Sequence, residues 1–299
     1  MDSFKISLIF AFLAMIFWGV GDFLIQKTIK KIGEFQTLLF INLFAGLALI
    51  PFVLKDFPLI FDWPNILLLI IMTIIDLLYS IFLFKAYNKG KLSVIEIALI
   101  GELPLTIFLG LIFFGEKLSF IETFLVLLII LGVFLISKSK KNWKEKIKEY
   151  FLGRKFVWEK GILFVFVAII FSSFYNLLVA FNARTISAFT SIWFPWTLSS
   201  IFLLIYIIYK KGLKSSCKNI INYKKLIFFT ALIDTAAWIF YALATQKEEL
   251  SIITAIVAGY AVIAMILDIK INKQKIGNWQ YLGAFFVFVG VIIISFITN

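Results

Sequence analysis

The chain has 299 residues, of which 62% are hydrophobic and 15% charged, and its mean hydropathy is +1.03; that balance excludes a water-soluble globule. With no His and one Cys, Cys217, it also excludes His-ligated metal, His-based acid–base chemistry and an internal disulfide, so no cofactor and no metal are expected. A net charge of +12 would point to nucleic acid in a soluble protein, but here the basic residues sit between long apolar runs and no nucleic-acid partner is expected.

Crossing about 30 Å of hydrocarbon as a helix takes about 20 mostly apolar residues, and ten such segments are predicted, in an all-α integral membrane protein. The first, residues 6–27, carries Trp18, Asp22 and Gln26 as one stripe at helical spacing. It lacks a small-residue cleavage site after a short apolar core, so it is read as retained rather than as a signal peptide. The second is 35–54. The third, 64–84, places Asp76 and Tyr79 on one face. In the fourth, 93–114, Ser93 and Glu96 read as a capping box, whereas Glu102 has no such role and stands beside Leu103-Pro104, an expected helix break. The fifth is 119–137.

Residues 138–159 form a basic joining segment, in which Trp143, Ile147, Tyr150 and Phe151 at helical spacing suggest an amphipathic helix on an anionic lipid leaflet; a solvated linker fits the same pattern. The sixth segment, 160–181, contains Asn176, and the seventh, 187–209, contains Pro195 between Trp193 and Trp196, an expected second break. In the eighth, 225–245, Asp234, Trp238 and Tyr241 share a face. The ninth and tenth are 251–269 and 277–297.

Shifting the chain by 158 residues lays Ile75–Ser137 on Ile233–Ser295 without a gap. Asp76 falls on Asp234, Ala86 on Ala244, Lys89 on Lys247, Gly101 on Gly259 and Gly132-Val133 on Gly290-Val291. A shift of 154 puts Ile16-Phe17 on Ile170-Phe171 and Asp22 on Asn176. The chain is read as a duplication, with one five-helix repeat over 1–137 and another over 160–299. Five is odd, so the second copy enters the bilayer from the opposite side, giving inverted repeats.

Charge placement agrees. Lys and Arg gather after the first, third, fifth, seventh and ninth segments, while Lys5, Lys55, Lys117, Arg184 and Lys247 alone mark the other face. Because short cytoplasmic loops retain the basic residues, both termini are expected away from the cytoplasm of a plasma-membrane protein.

Ionisable groups at bilayer depth are costly and point to function. Asp76, Glu102 and Asp234 lie about 14 Å from their nearest span end at 1.5 Å per residue; Asp22 is shallower. With Trp18, Tyr79, Trp238 and Tyr241 they outline an acidic, aromatic cavity suited to a cation or zwitterion. The alternative is that protonated Asp76 and Asp234 act as helix-to-helix glue. The membrane glycines at 101, 110, 132, 259, 283 and 290 are read as packing sites.

Phe17-Trp18-Gly19, Leu103-Pro104, Gly115-Glu116-Lys117-Leu118-Ser119 and Gly132-Val133, in that order, resemble the drug/metabolite transporter superfamily and its EamA-like ten-helix members. The resemblance implies a helical basket with a central cavity and alternating access, exporting amino acids or related metabolites. It places Trp18-Gly19 and Leu103-Pro104 at the cavity and Gly115-Glu116 at a structural turn. The second half departs from the pattern, with Lys273-Gln274 for the Gly-Glu turn and Ala261-Val262 for Leu-Pro. Many members also keep both termini in the cytoplasm, opposite to the charge pattern here.

The expected function is therefore a secondary carrier of small metabolites such as amino acids or organic cations, with protons as a candidate coupling ion. Two other classes compete. Gly19-Val20-Gly21-Asp22 matches the G-x-G-D segment of intramembrane aspartyl proteases, but the Tyr-Asp helix before it and the Pro-Ala-Leu helix after it are missing. A non-transporting scaffold or lipid-handling protein would bind no solute.

Overall fold

A computed structural model describes residues 3–90, 92–99, 101–136, 161–271 and 278–297. The joining segment 138–159 and the turn carrying Lys273-Gln274 lie outside the described residues. Backbone groups facing lipid have no water to bond, so long apolar runs satisfy them internally as helices. The elements are α1 (Ser3–Ile32), α2 (Glu34–Ala48), α3 (Ile50–Val53), α4 (Phe57–Ile60), α5 (Trp63–Lys89), α6 (Leu92–Leu99), α7 (Glu102–Phe113), α8 (Phe120–Ile136), α9 (Ile162–Thr185), α10 (Ala188–Tyr209), α11 (Leu213–Thr245), α12 (Leu250–Val257), α13 (Tyr260–Ile271) and α14 (Asn278–Ile297). No strand occurs among the described residues.

Five helices, α1, α5, α9, α10 and α11, are each long and apolar enough to cross a bilayer, and α2 joins the short helices after it through a 54° bend to make a sixth candidate. The remaining apolar helices are shorter. The segments expected over 93–114 and 251–269 are each split in two, into α6–α7 and α12–α13.

The two splits repeat one another at the register of the duplication. Leu92–Leu99 corresponds to Leu250–Val257 and Glu102–Phe113 to Tyr260–Ile271. At the breaks, the Gly101 N–H donates to the Ala98 carbonyl and the Gly259 N–H to the Ile256 carbonyl, both at 3.1 Å. Glycine suits each place because a Cβ would meet a neighbouring helix: Ile169 Cδ1 at 3.1 Å from position 101 and Met15 Sδ at 2.5 Å from position 259. The expected break at Leu103-Pro104 is corrected by this geometry. Pro104 falls in the first turn of α7, where its missing N–H would have had no intrahelical partner. Pro195 makes no break either, since α10 continues through it.

Packing exchanges helices between the halves. The first helix of each half lies on the third of the other, α1 against α11 and α9 against α5, while α2 packs on α10 and α8 on α14. Close approach of the last pair depends on glycine: a Cβ at Gly132 would sit 2.7 Å from the Gly283 carbonyl oxygen, and one at Gly290 2.6 Å from Ile129 Cγ1. The outer surface is apolar, with Ile9, Phe52, Trp63, Phe120, Phe166 and Phe285 exposed, whereas Asn42, Asp76, Asn176, Ser199 and Asp234 are buried inside. Polar within and apolar without is the arrangement lipid imposes, since an exposed apolar belt of this extent would be unstable in water.

Candidate solute-binding cavity

Three small adjoining voids lie at the centre, lined from α1, α2, α5, α6, α7, α9, α10, α11, α12 and α13. One is lined by Asp22, Asn42, Asp76, Trp196, Asp234 and Trp238. A second is lined by Asp22, Tyr79, Tyr87, Glu102, Asn176 and Tyr260. The third is lined by Trp18, Glu102, Asn176, Tyr241, Thr254 and Tyr260. Each has room for about two water molecules. Among the described residues, no Lys or Arg lines them.

The floor is acidic and the walls are aromatic. Asp76 (1% exposed) and Asp234 (6% exposed) come from the third helix of each half and face one void. The Ser199 hydroxyl donates to Asp76 Oδ2 at 3.3 Å. Trp238 is the hub of the aromatic wall, with ring centroids 4.9 Å from Trp18, 5.0 Å from Tyr175, 6.0 Å from Tyr241 and 6.3 Å from Tyr79. The Tyr241 and Thr254 hydroxyls stand 3.1 Å apart. Such rings present negative faces to a cation.

Of the residues expected from sequence, Trp18, Asp22, Asp76, Tyr79, Glu102, Asn176, Asp234, Trp238 and Tyr241 all line this space. Pro104 does not; it is exposed on the outer side of α7, because a helix starting at Glu102 turns the residue two places on away from the face that Glu102 and Leu103 present inward. Gln26 leaves the stripe it shared with Trp18 and Asp22, and its amide nitrogen donates to the Tyr87 carbonyl at 3.2 Å. Gly19, first of the G-x-G-D match, is explained by packing: a Cβ there would lie 2.6 Å from Ile263 Cβ.

The Glu96 carboxylate, 3% exposed, accepts the Tyr87 hydroxyl at 2.6 Å, a partner that the sequence reading did not give it. A reciprocal capping box stands at the start of α8, where the Ser119 N–H donates to Glu122 Oε2 at 2.7 Å and the Glu122 N–H to Ser119 Oγ at 3.2 Å. Asn42, Tyr87, Trp196 and Tyr260 are cavity residues that pattern reading missed. Tyr260 alone had a signal, since it occupies the position of Glu102 in the repeat register.

One end of the bundle is held by acids of the first half reaching the second. Glu116 accepts the N–H groups of Leu250 at 2.6 Å and Ser251 at 3.0 Å, capping α12, and pairs with Arg184 at 3.6 Å. Arg184 also donates to the carbonyls of Thr245 at 2.9 Å and Glu248 at 2.7 Å. Asp56 accepts the hydroxyls of Ser187 at 2.5 Å and Thr190 at 2.9 Å at the start of α10. The opposite end carries lysine: Lys30 donates to the Asn88 carbonyl and Lys89 lies 4.6 Å from the centre of the Phe164 ring.

Comparison with known proteins gives three findings. The EamA-like transporter family model matches residues 5–138 and again 159–296. An uncharacterised protein of Methanocaldococcus jannaschii is 29% identical over 136 residues, which are 44% of this chain and 97% of that one; less than half of the chain thus matches that relative nearly end to end. A solved crystal structure superposes with a TM-score of 0.68 at 13% identity, covering 97% of each chain, and shows a shared fold.

Proposed function

The chain belongs to the EamA-like transporter family, a family of membrane transporters rather than enzymes, and from that premise we propose that it carries small metabolites across the plasma membrane by alternating access through the central voids. Two buried aspartates from corresponding places in the two halves, Asp76 and Asp234, facing one void, are the observation that carries this reading. Buried carboxylates in a chain solvated by lipid need a partner, and a transported solute or proton supplies one.

In this reading the five long helices, the bent α2 unit, the split pairs α6–α7 and α12–α13, and α8 and α14 make ten crossings. They divide into two inverted units, 1–137 and 160–299, joined by the basic segment 138–159. The tight packing around Trp238 is an occluded conformation. Opening at the lysine end would expose the voids to the cytoplasm, and opening at the Glu116–Arg184 end would expose them outside. On this reading the protein exports amino acids or organic cations, with a proton exchanged at Asp76, Glu102 or Asp234.

Counterflow in proteoliposomes tests the proposal. Vesicles preloaded with amino acids, polyamines or aromatic cations are expected to accumulate the matching labelled solute, and Asp76→Asn or Asp234→Asn to abolish the flux while the protein stays folded. Absence of flux for every solute in a folded preparation would reject it.

A further inference from the structure

We propose that the void between Glu102 and Asn176 binds a primary ammonium group, so that the substrates are organic amines without a carboxylate; this rests on the transport reading above. Three observations converge on it.

The first is an unpaired acceptor. Asn176 is 4% exposed, lines two of the three voids, and its Oδ1 has no hydrogen-bond partner. A buried acceptor left without a donor is unfavourable, and a solute that reaches it with an N–H as the voids open removes that cost. The second is charge. Glu102 borders the same two voids, Asp22 one of them, and among the described residues no Lys or Arg lines either. An ammonium is attracted there, whereas the carboxylate of a zwitterion would be buried against acids with no cation to receive it. The third is the wall: Trp18 and Tyr241, with centroids 5.2 Å apart, and Tyr260 flank the void, so that a cation there has aromatic rings beside it and an alkyl chain an apolar surface.

The acceptor separates two kinds of cation. A quaternary ammonium satisfies the rings and the charge but has no N–H to give Asn176 Oδ1 or Glu102. A primary ammonium satisfies all three. The duplication also explains why the preference is one-sided: Glu102 corresponds to Tyr260 and Asp22 to Asn176, so the first half supplies the charge and the second the neutral groups.

A matched series of solutes tests this on the full-length protein in detergent: 3-methylbutylamine, its N-trimethyl analogue and leucine, which share one branched chain. Ligand binding raises the unfolding midpoint. The amine is expected to stabilise at concentrations at least tenfold below the other two. Asn176→Leu removes the unpaired acceptor, so it should leave the unliganded midpoint unchanged or higher while weakening the amine about tenfold, the equivalent of about 1.4 kcal/mol; Glu102→Gln should abolish the shift. Equal or stronger stabilisation by leucine or by the trimethyl compound, or no shift with any of the three, overturns the proposal. The counterflow assay keeps the transport reading separate: flux of a zwitterion with no amine flux refutes the amine assignment alone, and no flux of any solute refutes both.

Discussion

Glu116 and Ser251 stand 135 positions apart, yet Glu116 Oε2 accepts both the Ser251 N–H at 3.0 Å and its hydroxyl at 2.5 Å. A turn of the first half thereby caps a helix of the second, satisfying N–H groups that α12 cannot pair itself. The role goes beyond the local turn that its sequence motif suggested.

Glu116→Ala should therefore lower stability by about 2 kcal/mol, the scale of hydrogen bonds to a charged group. Thermal unfolding in detergent measures it. An unchanged midpoint would show that the cap contributes nothing to joining the halves.

Glycines should divide by what surrounds them. Gly132→Ala places a methyl 2.7 Å from the Gly283 carbonyl oxygen, which is backbone and has little freedom to move, whereas Gly21→Ala meets only Ile233 Cγ2 at 3.5 Å. The first should cost about 1–3 kcal/mol by overpacking, and the second should be close to neutral in the same unfolding assay. Equal effects would contradict the packing between α8 and α14.

The Tyr87–Glu96 bond at 2.6 Å is best tested by a double-mutant cycle. Tyr87→Phe and Glu96→Gln, alone and together, should show a coupling of about 1–2 kcal/mol, as neighbours in one buried bond do. Additive effects would mean the two groups do not interact in the folded protein.

Cys217 reports topology without mutation. It is the sole cysteine, exposed, and lies among the lysines at the start of α11. Charge placement puts that end in the cytoplasm, so a membrane-impermeant maleimide should label Cys217 only after cells are permeabilised. In a Cys217→Ser background, Lys55→Cys should label in intact cells. The reverse pattern would turn the protein over in the membrane and exchange the two gates.

Most of the cavity was legible in the sequence because charged and aromatic residues are conspicuous in apolar runs. Asp76, Asp234, Trp238 and Tyr241 could be placed from helical spacing alone, and Asn176 from the repeat. Asn42 and Trp196 were not, because one polar or aromatic residue in a span has several ordinary explanations, and only the neighbours across the bundle select among them.

Sequence by itself determined that lipid is the solvent, that the chain is helical, and that its halves share a register in which Gly101 falls on Gly259. Those properties follow from composition and order along one chain. That the helices break at those two glycines came from the structure. The tertiary structure alone decided that Pro104 faces outward, that Glu96 bonds Tyr87 and that Glu116 caps the opposite half. When nearly every residue of a helix is apolar, hydropathy no longer distinguishes the face toward lipid from the face toward other helices. Rotation of each helix about its axis is then set by close packing and by polar groups finding partners, which exist only once the helices are side by side.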